Sequence, residues 1–196
     1  MKPVLLAAAG AVVLGMSLAG AGQTSPAGQV ERPFVSAGKV RMDLASGAYI
    51  IRGGSVPSIR VRWDTRDPAD MPRVTADLVV SGDTATLTTR GPHTNFHMQI
   101  DVPSRTDLGI DMGAGDISIR AVEGNKMLDM WAGDVSIEVG DASSYRLVDA
   151  TVRAGDISAQ PFGRNTGGLF RSLHWTGNGN YTLLVKLAAG DLKLVK

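Results

Sequence analysis

The chain has 196 residues, carries 20 Lys and Arg against 19 Asp and Glu, and has no Cys. That length holds one domain with a sizeable core, and the balanced charge argues against nucleic acid or anionic lipid as the main partner, since either normally needs a basic face. Without Cys, disulfides, thiol nucleophiles and a lipidated N-terminal Cys are excluded, so stability must come from packing and hydrogen bonding.

The chain opens with one positive charge at Lys2, an apolar run from Val4 to Leu18, and then the small residues Ala19 to Gly22. This is the layout of a secretory signal peptide over residues 1–21, cut after Ala21. The rival reading is a retained membrane anchor, because Val4 to Gly22 is nearly long enough to span a bilayer. Once the leader is removed no membrane span is expected, and the mature protein is expected to be exported, to the bacterial periplasm or outside the cell. Residues 22–33, GQTSPAGQVERP, read as a flexible lead-in, and residues 34–196 as one domain.

From there the chain alternates. Ile59, Val61 and Trp63 share one face, against Arg60, Arg62 and Asp64 on the other. Residues 79–87, VVSGDTATL, read as a hairpin around Gly82 and Asp83. Phe96, Met98, Ile100 and Val102 then alternate against His97, Gln99 and Asp101. Period-two alternation marks strands with one buried face, and no window after the leader has a helical stripe, so the expected class is all-β. His93 and His97 would stand about 13 Å apart on an extended strand, too far to share a metal ion.

Next come MGAGDISIR, WAGDVSIEV, RAGDISAQP and AAGDLKLVK, each with Ala-Gly-Asp and an aliphatic residue. The corner residues are Gly115–Asp116, Gly133–Asp134, Gly155–Asp156 and Gly190–Asp191, with the aspartates 18, 22 and 35 residues apart. A repeat near 20 residues with a fixed glycine corner predicts a β-solenoid, a β-helix-like stack in which each coil rests on the one before; a β-sandwich is the alternative. The long last interval reads as one turn, between Gln160 and Trp175, that has lost its signature or gained a loop. A second hairpin is expected around Gly177 to Asn180.

Parity assigns the inward ladder to Ile117 and Ile119, Val135 and Ile137, Ile157 and Ala159, Leu192 and Leu194. The aspartates have the parity of Ser118, Ser136 and Ser158 and fall outside the core. Each aspartate is expected to accept hydrogen bonds from its own corner in an Asx-type turn, with glycine supplying a positive φ. A divalent cation or a sugar are the other uses such a column could have, but the dense glycine-aspartate calcium repeat is absent and four similar sites cannot separate an acid from a base. No metal or cofactor is expected. The sequence has no Gly-x-Ser-x-Gly elbow and no phosphate loop. Trp131, with Trp175 and Tyr181, is the candidate contact surface; a ring lying over a coil edge or capping loop is the other reading of these aromatics.

The series FHMQIDVPSRTDLGIDMGAGDISIRAVEG, LDMWAGDVSIEV and ATVRAGDISA resembles the bacterial putative-adhesin family, whose marks are a v-x-v-P strand, here IDVP at 100–103, followed by glycine-corner strands. The resemblance spans roughly residues 34–196. It implies a β-helix-like stack, no established catalysis, and an adhesive or envelope-associated role; the expected partner is an envelope protein or glycan. The stretch QPFGRNTGGLFRSLHWTGNGN departs from the family rhythm and suits a hairpin covering the open end of the stack. A carbohydrate-active enzyme and an envelope-stress protein are the other functional classes left open.

Overall fold

The computed structural model describes residues 28–65, 67–92 and 96–196. The expected leader, residues 22–27 and His93 lie outside the described residues. Among those described there is no α-helix, and no helix is long and apolar enough to cross a membrane. The protein is all-β, as its alternation predicts.

The chain begins with β1 (Gln29–Pro33), β2 (Gly38–Leu44), β3 (Gly47–Gly54) and β4 (Ser58–Thr65). Strand β1 pairs antiparallel with β4, so the expectation of a flexible lead-in is corrected for residues 29–33. Val30 is buried, and that apolar contact together with the open edge of β4 recruits residues 29–33 into the sheet. After a short 3-10 turn capped by Asp67 come β5 (Thr75–Ser81) and β6 (Thr84–Arg90), the hairpin expected around Gly82, which has φ +60°. Strand β7 (Phe96–Pro103) follows, buried on the predicted face at Phe96, Met98, Ile100 and Val102.

The repeated corners lie in the remaining strands. These are β8 (Thr106–Arg120), β9 (Lys126–Ala132), β10 (Val135–Glu138), β11 (Tyr145–Ala159), β12 (Arg164–Thr176), β13 (Tyr181–Ala189) and β14 (Leu192–Val195). The first part of β8 pairs with β2 and β9, and its last part with β3 and β10. Strand β11 divides in the same way, between β13 and β14. Strand β9 pairs with β13, and β10 with β14. The six strands β8, β9, β13, β11, β14 and β10 therefore form a closed ring, parallel throughout.

Inside the ring the parity reading holds: Ile117, Ile119, Val135, Ile137, Ile157, Ala159, Leu192 and Leu194 are all buried. They face Leu128, Met130, Val185 and Leu187 from the other half of the ring. Each of these Val, Ile, Leu or Met side chains contributes roughly 2 kcal/mol by leaving water. Strands β2 and β6 extend one half of the ring, and β3, β7, β4 and β1 extend the other.

Three expectations are corrected. The strands of the ring do not follow chain order: β13 and β14, the last strands made, lie between β9/β10 and β11. The stretch before them is not a lost turn but β12, which reverses after a 3-10 turn at Gln160–Phe162 and runs antiparallel along the whole of β11. Nor is there a hairpin at Gly177 to Asn180. Strands β12 and β13 both pair with β11, on opposite sides, and the segment between them crosses the start of β11, with Gly179 N–H donating to the Tyr145 carbonyl. A turn signal in sequence cannot tell whether the flanking strands meet each other or straddle a third.

Candidate functional site

The glycine-aspartate corners form one column in the order 116, 134, 191, 156. Gly115, Gly133, Gly190 and Gly155 have φ between +120° and +136°. A Cβ on Gly133 would fall onto the Gly115 carbonyl, one on Gly190 onto the Gly133 carbonyl, and one on Gly155 onto the Gly190 carbonyl. Glycine is thus required twice over, by backbone conformation and by the closeness of the neighbouring rung.

The aspartates do not fold back on their own corners as expected. Each reaches to the next rung: Asp134 N–H donates to Asp116 Oδ1 at 3.3 Å, Asp191 N–H to Asp134 at 3.1 Å, and Asp156 N–H to Asp191 at 3.0 Å. Gly168 N–H on β12 ends the ladder on Asp156 at 3.3 Å. Neighbouring carboxylates about 4.8 Å apart repel by roughly 1 kcal/mol at bulk-water permittivity. A hydrogen bond to a charged acceptor contributes about 1.5–3 kcal/mol and offsets this. The same device recurs at the other end of the rungs, where Asp107 accepts from Asn125 N–H and Asn125 from Thr182 N–H. The column is a structural zipper. Among the described residues no group of three or more His, Asp or Glu is placed to hold a metal ion.

The three aromatic candidates separate. Trp131 is 69% exposed. Trp175 is half-buried with its ring centroid 5.0 Å from that of Phe162, and Tyr181 packs edge-on against the buried Tyr145 at 6.1 Å. Those two rings close one end of the core and do not share a surface with Trp131. His97 and His174 are both exposed and pair with Asp64 at 3.5 Å and Asp149 at 3.4 Å.

Around Trp131 the outer face of the sheet is hollowed into a trough of about 740 Å³. Its floor is made where outward side chains are small: Gly113 on β8 and Ala188 on β13 flank Trp131 on β9, and a Cβ at Gly113 would meet nothing within 4 Å. One row further from the corner, Asp43, Asp111 and Asp129 stand side by side on β2, β8 and β9. The row continues into Lys186 on β13 and Thr151 on β11, with Arg153 closing that side of the trough. All of these side chains are exposed. The trough therefore has an acidic half and a basic half, with the indole on β9, the strand where the two halves meet.

Sequence reasoning missed this row although a signal existed. Asp43, Asp111, Asp129, Thr151 and Lys186 each lie four residues before a corner glycine, at 47, 115, 133, 155 and 190. It also missed Lys126, whose side chain points into the core at 2% exposure. Its Nζ donates to the Tyr145 hydroxyl at 3.1 Å and the Gly124 carbonyl at 3.2 Å. Burial pulls this amine down to about 8 and pushes the Tyr145 phenol up to about 12.

No family model matches the sequence, and neither does any curated protein. Among solved structures, a putative cell adhesion protein from Clostridium sporogenes is 13% identical with a TM-score of 0.47, over 85% of this chain and 97% of its own. A putative adhesin from Bacteroides fragilis is 10% identical with a TM-score of 0.33, over 88% and 97%. One from Parabacteroides merdae is 10% identical with a TM-score of 0.31, over 89% and 79%.

Proposed function

We propose that this protein is an exported, non-catalytic, adhesin-like binding module of the bacterial cell envelope, a β-solenoid with one transposed coil that holds its partner in the trough over Trp131. The observation that carries this reading is the placement of that indole. It is the most exposed of the three tryptophan rings, fixed on a hydrogen-bonded sheet, with glycine and alanine on either side leaving room for a ligand. Exposed tryptophan on a rigid scaffold gives large contact area at small entropic cost. Export is supported by the leader pattern of residues 1–21.

What supports binding over glycoside cleavage is the sameness of the trough acids. Asp43, Asp111 and Asp129 occupy equivalent positions on neighbouring strands and are all exposed, whereas hydrolysis needs one carboxyl group set apart from its partner by its surroundings. The test is a screen of glycans and purified envelope proteins against residues 22–196, run in parallel with Trp131→Ala. A partner whose affinity falls about tenfold or more in the variant supports the reading. Partners held equally by both forms, or release of sugar from any glycan, would overturn it.

A further inference from the structure

The charges of the trough are sorted by side and are in no ion pair among the described residues. Asp43, Asp111 and Asp129 lie on three adjacent strands, and Lys186 and Arg153 on the two that follow. Three neighbouring carboxylates on rungs about 4.8 Å apart raise one another's energy, and a cation placed against them relieves it. A neutral ligand would neutralise neither side.

Resting on the reading of the trough as the binding surface, we infer that its ligand is an extended peptide segment lying across the strands. The segment presents a basic side chain to Asp43, Asp111 and Asp129, an apolar one to Trp131, and an acidic one to Lys186 and Arg153. The spacing supports this. From β8 to β11 there are three strand intervals, roughly 14 Å, and in an extended peptide the side chains of residues i and i+4 point the same way roughly 13–14 Å apart, with i+2 midway. The recognised pattern is therefore basic-x-apolar-x-acidic. Since an extended peptide can lie in either chain direction, the reversed order of the same pattern fits equally.

The probes are an acetylated and amidated pentapeptide Lys-Ser-Leu-Ser-Glu, its uncharged counterpart Ser-Ser-Leu-Ser-Ser, and a neutral chitotriose. The readout is the NMR shift of the Trp131 indole N–H, assigned by its loss in Trp131→Phe. The charged peptide should titrate this resonance, bind at least about threefold more weakly when ionic strength rises from about 0.02 to about 0.2 M, and outbind the uncharged peptide about tenfold. Asp111→Asn with Asp129→Asn should weaken it about fivefold or more; both side chains are exposed, and retained amide dispersion verifies the fold. Equal binding of the two peptides, or no shift with the charged one, overturns the inference. A chitotriose shift without a peptide shift overturns the peptide ligand and leaves the trough reading standing. Silence of Trp131 toward all three probes, together with screened partners that bind Trp131→Ala normally, overturns both.

Discussion

Asp134 Oδ1 receives the backbone N–H of Asp191 at 3.1 Å, although 57 residues separate them. The last corner of the chain is thus inserted into the middle of the column, with Asp156 N–H resting on Asp191 in turn. The ring of six parallel strands cannot close until residues 181–195 arrive, because among the described residues it is β13 and β14 that link β9/β10 to β11. Deleting residues 181–196 is expected to abolish cooperative thermal unfolding monitored by circular dichroism. Deleting Lys196 alone should leave it unchanged. A truncated chain that still melts cooperatively would show that β11 and β12 fold without the inserted rung.

The corners give two substitutions of opposite consequence. Asp134→Asn keeps an oxygen acceptor for Asp191 N–H, removes one member of a like-charged column, and should change stability by less than about 1 kcal/mol. Gly133→Ala places a Cβ on the Gly115 carbonyl at φ +120° and should cost about 3 kcal/mol or more, enough to threaten folding. Urea unfolding of both variants checks this pair, and a mild Gly133→Ala effect would mean that adjacent rungs can separate locally.

Much of this was legible from letters alone, for a physical reason: a strand with one wet face writes its burial directly as alternation. Ile117, Ile119, Val135 and Ile137 were placed correctly by parity. The order of the rungs was not legible. Four Ala-Gly-Asp corners are chemically interchangeable, so nothing local distinguishes a neighbour 18 residues away from one 57 away; that choice is made by β12 reversing along β11. The acidic row was half legible, because Asp111 and Asp129 keep a fixed offset from the corner, whereas Asp43 precedes Gly47, a corner without the Ala-Gly-Asp letters. Lys126 has the inward parity of Leu128, yet a lysine at a strand start reads as solvated until Tyr145 is seen beside it.

Lys126 makes stability depend on pH in an unusual direction. Its folded pKa of about 8 lies below the ordinary 10.5, so between these values the unfolded chain binds the extra proton and stability rises with pH. The gain over that window is up to about 3 kcal/mol. Tyr145 acts oppositely: its folded pKa of about 12 lies above the ordinary 10, so its contribution is present below pH 10 and is lost as pH rises toward 12. Denaturation midpoints should therefore climb from pH 8 and turn over near pH 10. Lys126→Met should flatten the climb and raise stability at pH 7, since it removes a buried charge whose third N–H has no acceptor among the described residues. A climb of unchanged slope in Lys126→Met would assign it to other groups.

The sequence groups Trp131 and Trp175 as one candidate contact surface, and the structure gives them different work. Trp131 stands 69% exposed, so Trp131→Ala should shift the unfolding midpoint by no more than about 2 °C and cost binding alone. Trp175 lies against Phe162, and both belong to the group around Tyr145 that closes the end of the core. Trp175→Ala should cost about 2–3 kcal/mol through the cavity it leaves, with binding at the trough intact. Acrylamide quenching distinguishes the rings directly. The strongly quenched, red-shifted fraction of the emission should disappear in Trp131→Phe and persist in Trp175→Phe. If it vanished with Trp175 instead, the exposed indole, and with it the proposed contact surface, would lie at the end of the core.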